Sequence, residues 1–493
     1  MNKLFDGLPT VAFNTAVISH GHNYNYAFVF GSAEGLARTL LGELDDLLEA
    51  RVAFMVDPGL DYVASLVGIW MAGGVAVPLC LSHPAPSLQY VLEDTAASII
   101  LVSPTYLSII QSIYLHSEVR IICLDGNLSS EIKTLPHITP DRMAMILYTS
   151  GTTNKPKGVV TTHQNIESQV LTLIQAWHWT AKDHILCVLP LHHVHGIINV
   201  VCCALWCGAT VEFLHPFDAK EVFRKFMEGH INVFMAVPTI YFKLITAFEE
   251  YSLNERNALT NIMSQFRLMV SGSAALPISV LEKWQIISGH TLLERYGMTE
   301  IGMAISNPYE GVRKAGHIGL PLTGVEVRIV DEVGQVVEEE SIGEIQVRGK
   351  NVFLQYWNKP EETKKSFTDD GWFRTGDVAM LTAGYYKILG RNSIDIIKSG
   401  GYKISALEIE ETLRLHDSIV DCAVVGLDDE EWGETVAAAV IPKVSDGFNI
   451  EVLDAWMRTQ IPAYRIPRKY LIVDSLPRNA MGKVIKMDVK KMF

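Results

Sequence analysis

Residues 148–158 read Tyr148-Thr149-Ser150-Gly151-Thr152-Thr153-Asn154-Lys155-Pro156-Lys157-Gly158. Thr149, Ser150, Thr152 and Thr153 carry hydroxyls, Gly151 and Gly158 free the backbone, and Lys155 and Lys157 bring positive charge. A segment of this make-up can fold over a polyphosphate, presenting amide N–H groups and ammonium groups to its oxygens. It is not the ordinary phosphate loop, which would need glycine and lysine where Pro156 and Lys157 stand. A short polar run could equally be a surface turn, but eleven consecutive residues of one chemistry weigh against that.

The rest of the chain bounds the setting. Its 493 residues exceed one ordinary core, so two or more domains are expected. Hydrophobic residues make up 48% and charged residues 19%, the balance of a well-packed chain. The net charge of −14, from 41 basic and 55 acidic residues, argues against general nucleic-acid binding. The start, Met1 to Gly7, lacks the pattern of a signal peptide, and no apolar run reaches membrane-spanning length. Seven irregularly spaced cysteines suggest reduced thiols and a cytoplasmic protein. Cys202, Cys203 and Cys207 lie near His192, His193 and His195 in sequence, which raises the question of a metal. Their apolar, helix-like run lacks Cys-x-x-Cys pairs and reads as core.

Short apolar runs alternate with helical stretches through the first half. Val52–Val56, Gly73–Leu79 and Ala97–Val102 read as buried strands, with a helix over Leu60–Ala72. The alternation recurs at Ile185–Leu189, Thr210–Phe213, Val233–Val237 and Leu268–Val270. Such runs predict mainly parallel sheets covered on both faces. Beyond about residue 320 the pattern changes to short alternating strands at Val325–Val330, Gly343–Arg348 and Tyr385–Leu389, as in a small antiparallel barrel. A compact α+β segment of about a hundred residues follows Arg391. The fold class is α/β. A large body of two α/β sheet subdomains plus a small β-barrel spans 1–390, and a mobile α+β C-terminal lid spans 391–493.

Four more constellations bear on chemistry. In Glu294-Arg295-Tyr296-Gly297-Met298-Thr299-Glu300, Tyr296 can lie flat on a purine and Gly297 permits close backbone approach. Thr299 can touch a phosphate, and Glu300 is a hard oxygen ligand suited to Mg²⁺. In Gly371-Trp372-Phe373-Arg374-Thr375-Gly376-Asp377, a carboxylate behind a glycine can accept from two ribose hydroxyls. The run Ile396–Glu410 contains a Gly400-Gly401 turn and Ser405-x-x-Glu408, the spacing of a capping box. Lys483, in Asn479-Ala480-Met481-Gly482-Lys483, stands ten residues before the C-terminal Phe493.

In this order and spacing, the motifs from 148 to 483 resemble the adenylate-forming superfamily, which includes acyl-CoA synthetases, luciferases and peptide-synthetase adenylation domains. The resemblance implies that a carboxylate and ATP give an acyl-adenylate and pyrophosphate, with CoA as co-substrate and Mg²⁺ accompanying ATP. It implies that Thr149, Ser150, Gly151, Thr152, Thr153, Lys155, Ala274, Glu294, Tyr296, Gly297, Met298, Thr299, Asp377 and Arg391 bind the nucleotide. It makes Lys483 the mobile catalytic lysine, neutralising charge as the acyl–phosphate bond forms, an effect worth roughly 3–4 kcal/mol. Thr149, His193 and Glu300 join it as catalytic candidates. Lys398, Gly400, Gly401 and Lys403 form the loop that guides CoA. The spacing from Arg391 to this loop is one residue longer than in many members, so the hinge is placed over Ser393–Asp395.

For the acid, Pro190-Leu191-His192-His193-Val194-His195-Gly196 follows the superfamily's Pro-Leu-aromatic-His-x-x-Gly pattern, with His192 replacing the aromatic. Together with Arg295 and the small-residue turn holding Ser271 and Ser273, it looks most like malonyl-CoA synthetases. A second substrate carboxylate, buried, would need a cation and hydrogen bonds, which Arg295, Ser271 and Ser273 can supply. Lys243 stands where the resemblance leads one to expect arginine, keeping charge without a bidentate fork. That leaves room for a short- or medium-chain monocarboxylic acid. A stand-alone adenylation enzyme loading a carrier protein, or a non-catalytic adenylate binder, are the readings of other kinds.

Overall fold

Residues 8–113, 119–126, 133–149, 156–444, 447–479 and 482–493 are described by the structure, a computed structural model. The apolar runs of the first half form two large sheets. One has seven strands in the order Gln355–Tyr356, Lys157–Thr162, Met143–Thr149, Val75–Pro78, Arg51–Met55, Ile99–Val102, Arg120–Cys123. Its strands from Met143–Thr149 onward pair in parallel, and the two at the other edge are antiparallel. The other has nine strands in the order Leu320–Pro321, Gly302–Ser306, Leu293–Met298, Leu268–Ser271, Val233–Ala236, His184–Cys187, Thr210–Phe213, Thr15–Ser19, His22–Asn25.

Helices Tyr26–Leu41 and Leu60–Met71 share one core with residues of both sheets, including Val52, Ala76, Ile185 and Val211. That is why Leu60–Met71 is apolar on nearly every face: a helix covered on all sides has no solvent stripe to mark its period. The two helices approach so closely that a β-carbon at Gly68 would stand 2.8 Å from the Ala33 carbonyl oxygen.

The expected barrel is instead an open four-stranded antiparallel sheet, Val325–Val330, Ile342–Gly349, Phe373–Thr382 and Tyr385–Arg391. Among the described residues its first and last strands do not pair. Its inner face, with Ile329, Ile345, Val347 and Phe373, joins the main core, so burial is achieved without closure. The strand Phe373–Thr382 runs through Asp377, which pairs with Arg391 on one side and sits at an irregularity in the pairing with Ile342–Gly349 on the other.

The C-terminal region has its own core, built on Ile397, Ile409, Leu413, Val424, Leu453 and Met457. The hairpin Ile396–Ser399/Tyr402–Ser405 turns at Gly400 and Gly401, whose φ values of 56° and 84° require the left-handed region that glycine occupies without strain. Helix Ala406–Arg414 follows, then strands Ile419–Asp429 and Gly433–Pro442, helix Ile450–Gln460 and strand Lys469–Ile472. The capping box is half formed. Ser405 Oγ accepts from Glu408 N at 3.2 Å, but the Glu408 carboxylate turns to Lys387 at 2.7 Å and Arg465 at 3.0 Å.

Candidate active site

Parallel strands end on one side of the nine-stranded sheet, and the chain leaving those ends builds the site. His184–Cys187 leads to the histidine segment, Leu268–Ser271 to the Gly272–Leu276 turn, and Leu293–Met298 carries Glu294 to Met298 itself. Gly297 is where glycine is obligatory: a β-carbon there would stand 2.0 Å from the Gly302 carbonyl oxygen.

At the nucleotide end the side chains are tied together. Tyr296 donates its hydroxyl to Asp377 Oδ2 at 2.6 Å, and Arg391 Nε donates to Asp377 Oδ1 at 3.1 Å. Two motifs about eighty residues apart in sequence thus meet at one carboxylate. Burial and that carboxylate push the Tyr296 phenol far up, so the ring stays neutral and anchored. Gly376 N, beside Asp377, donates to Glu344 Oε1 at 3.0 Å.

Thr299 and Glu300 are buried. Glu300 Oε1 accepts from the Tyr356 hydroxyl at 2.9 Å, and burial raises the carboxyl above its ordinary range. Lys157 pairs with Glu362 and lies 5.1 Å from the Tyr356 ring centroid, bringing the phosphate segment's far end beside Glu300. Thr149 ends strand Met143–Thr149 opposite Lys157. Ser150, Gly151, Thr152, Thr153 and Lys155 lie outside the described residues. Tyr356 and Glu344 were missed in the sequence; neither sits in a motif, and only the chain's return to the site gives them a role.

The acid end differs. Arg295 is 3% exposed and, among the described residues, donates only to Ser273 Oγ, at 3.3 Å, its Nε having no partner there. No ion pair reaches it among the described residues. Burial pushes the guanidinium down to about 9, against a smaller opposing pull from the Glu294 carboxyl. Ser273 holds its place at φ 69°, a conformation uncommon for a residue with a side chain, and its Oγ also meets His195 Nδ1 at 3.2 Å. A β-carbon at Gly272 would stand 2.4 Å from the guanidinium carbon, so that glycine makes room for Arg295.

His195 is wholly buried with Nε2 unpartnered, and burial holds it neutral. Burial, then His192 and Arg295, push His193 down to about 4. Arg295 is therefore the positive charge of this cluster at neutral pH. Ser271 Oγ is buried and unpartnered as well. Glu294 turns away, accepting weakly from Leu276 N at 3.4 Å, and burial pushes it up to about 8. Its Oε1 supports the turn holding Ala274, and its Oε2 is buried without a hydrogen-bond partner among the described residues.

Lys243 is exposed on helix Pro238–Glu249, its Nζ 5.7 Å from the Phe217 ring centroid, and no hydrogen bond or ion pair among the described residues joins it to Arg295. Cys202 and Cys203 are wholly buried in the helical run His195–Cys207; no group of three or more metal-ligating side chains occurs among the described residues.

Lys483 is exposed, and Gly482 before it lies against the body: a β-carbon there would be 2.9 Å from Thr239 Oγ1. Three residues on, Lys486 is buried between Asp395, at 2.7 Å, and Glu410, at 2.8 Å. Asp395 Oδ2 also accepts from Arg391 N at 3.0 Å, so the Ser393–Asp395 segment is fastened to helix Lys486–Lys490, which begins three residues after Lys483. Lys403, expected in the loop that guides CoA, pairs at 2.6 Å with Glu332 in the turn after strand Val325–Val330; Lys398 is exposed.

Residues 12–357 match the family described as AMP-binding enzyme, and residues 408–483 match its C-terminal domain. The chain belongs to the AMP-binding enzyme family. Within that family, it is 43% identical to the mitochondrial malonate–CoA ligase ACSF3 of Xenopus laevis, over 99% of this chain and 92% of the relative. It superposes on ATP-bound MatB from Rhodopseudomonas palustris with a TM-score of 0.91, at 32% identity, covering 99% of this chain and 97% of that one. Against a malonyl-CoA ligase in a product complex with methylmalonyl-CoA and AMP, the TM-score is 0.69, again at 32% identity, covering 95% and 97%. No helix among the described residues is long and apolar enough to cross a membrane.

Proposed function

We propose that this chain is an ATP-dependent malonate–CoA ligase, converting malonate, ATP and CoA to malonyl-CoA, AMP and pyrophosphate through malonyl-adenylate. The observation that carries the reading is Arg295: a buried guanidinium with a serine hydroxyl and no carboxylate. Left so, it is costly; a carboxylate from the ligand offsets that cost and fixes orientation. Malonate brings one carboxylate to react and one to occupy Arg295, with Ser271, Ser273 and neutral His193 and His195 around it. The similarity to malonate–CoA ligases supports this choice.

In the first half-reaction, residues 149–155 and Thr299 hold the phosphates, while Ala274, Tyr296, Gly297 and Met298 frame the base and Asp377 with Arg391 takes the ribose. The reacting carboxylate attacks the α-phosphate, pyrophosphate leaves, and Lys483 steadies the charge on the oxygens being joined. Glu300 is the residue to hold Mg²⁺. Its buried carboxyl, raised by burial and met by one phenol, is a site a cation would relieve. Bound there, Mg²⁺ would neutralise polyphosphate charge.

In the second half-reaction the lid, 391–493, turns about Ser393–Asp395 and brings Lys398, Gly400, Gly401 and Lys403 to guide the CoA thiol. The better match to the ATP-bound relative than to the product complex, at equal identity, supports an adenylate-forming orientation here, with Gly482 against Thr239 of the body and Lys403 parked on Glu332. Seven free cysteines suit a reducing compartment, a property that the cytoplasm shares with the mitochondrion of the vertebrate relative.

The test is purified protein with ATP, CoA and a panel of short mono- and dicarboxylic acids, followed by thioester formation. Malonate, with methylmalonate behind it, should exceed acetate, butyrate and octanoate. A preference for octanoate would sink the dicarboxylate reading, and pyrophosphate exchange without a CoA thioester would point to a carrier-protein acceptor.

A further inference from the structure

Helix Ile278–Ser288 of the body begins badly. Its N-cap is Pro277, which has no side-chain acceptor, so the first amide of the helix lacks a cap from its own segment. The partner comes from the lid: Glu411 Oε2 accepts from Ile278 N at 3.0 Å. Glu411 lies on helix Ala406–Arg414, and its other oxygen pairs with Arg414 Nη1 at 3.3 Å. Arg414 is itself fixed within the lid, donating to the Cys422 carbonyl at 3.3 Å. The carboxylate is thus aimed by the lid and spent on the body.

The capped segment leads directly into the site. On its other side Glu294 Oε1 receives Leu276 N, and the same turn carries Ala274 and the strained Ser273, which contacts Arg295 and His195. The turn is clamped between a body carboxylate and a lid carboxylate.

We propose that Glu411 is a positioning residue which caps helix Ile278–Ser288 only while the lid faces the adenylate-forming step, and so sets the Ser273–Ile278 turn for that step alone. When the lid rotates, the carboxylate leaves with it and the turn loosens, which favours release of the adenylate toward CoA. This rests on the ligase reading above for its kinetics, though not for its structural readout.

Two measurements test it. Hydrogen exchange of the peptide spanning Ile278, in ligand-free enzyme and with ATP, reads the cap itself. Malonate-dependent pyrophosphate exchange, alongside thioester formation from supplied malonyl-adenylate, reads the two half-reactions. Glu411→Ala should lose protection at Ile278 and slow pyrophosphate exchange by about five- to tenfold, the factor a lost cap is worth. Its thioester formation from supplied adenylate should equal wild type. Glu411→Gln, whose amide oxygen still accepts, should recover most of the exchange rate. Equal loss of both half-reactions, unchanged protection in Glu411→Ala, or Glu411→Gln as slow as Glu411→Ala would each overturn the proposal. Absence of malonate-dependent exchange in wild type would instead overturn the ligase reading, leaving the exchange protection to judge the cap.

Discussion

The two ends of the site are built on opposite principles. At the nucleotide end, Tyr296, Asp377, Arg391, Glu300 and Tyr356 satisfy one another. At the acid end, Ser271 Oγ, His195 Nε2 and Arg295 Nε are buried without partners. A satisfied network holds its shape without a ligand. An unsatisfied one is stabilised by the right ligand and penalises the wrong one. The two clusters thus differ in chemistry as well as in place.

The strongest way to break the contrast is Arg295→Ala. Discrimination by a site left with unpaired buried groups reaches about 10⁴, so malonate kcat/KM should fall by about that factor while ATP binding, measured by titration calorimetry, stays near wild type. Comparable losses in both would mean that the two ends are not separate. Next in size, Asp377→Ala removes the acceptor shared by Tyr296 and Arg391. ATP affinity should weaken by about 10²-fold, with the ranking of acids unchanged; wild-type ATP affinity would remove the ribose role.

A smaller effect is expected from Ser273→Ala, which deletes one hydroxyl between Arg295 and His195. The malonate KM should rise by about tenfold with little change for ATP; an equal change in both would tie Ser273 to the nucleotide. Smallest is a pH effect at the boundary between the ends. Glu294 is pushed up to about 8 from an ordinary 4.5, so between those values the folded chain keeps a proton that the unfolded chain releases. Stability from this group is therefore present at low pH and declines as pH rises through that window. Glu294→Gln, which cannot ionise, should match the wild-type Tm near pH 5 and exceed it by roughly 2–4 °C at pH 8. A gap that shrinks with pH would reverse the assignment.

Much of this was legible before any fold was known. The runs at Thr210–Phe213 and Val325–Val330 are strands at the bounds read from their apolar pattern, because pattern and burial agree there. Pairing of Tyr296 with Asp377 was not legible, since each belongs to a motif complete in itself and only the packing of two sheets brings them together. The barrel failed for a related reason: alternation along a strand records which face is buried, and an open sheet against a large body gives the same alternation as a closed one. Glu408 shows the same limit on a smaller scale. Its spacing from Ser405 marks the helix start, yet two cations out of local reach, Lys387 and Arg465, took its carboxylate.

The sequence by itself determined the chemistry available: a segment rich in hydroxyls, glycine and lysine at 148–158, carboxylates at Glu300 and Asp377, and Lys483 near the end. These follow from functional groups and spacing along a motif, which are local properties of the chain. Only the tertiary structure decided that Arg295 is left without a protein counter-ion while Lys243 is exposed, that Tyr356 serves Glu300, and that Glu411 completes a helix it does not belong to. Those outcomes depend on burial and on which groups from distant segments are left over to pair. Both are set by the packing of whole sheets and domains, and by no single stretch of residues.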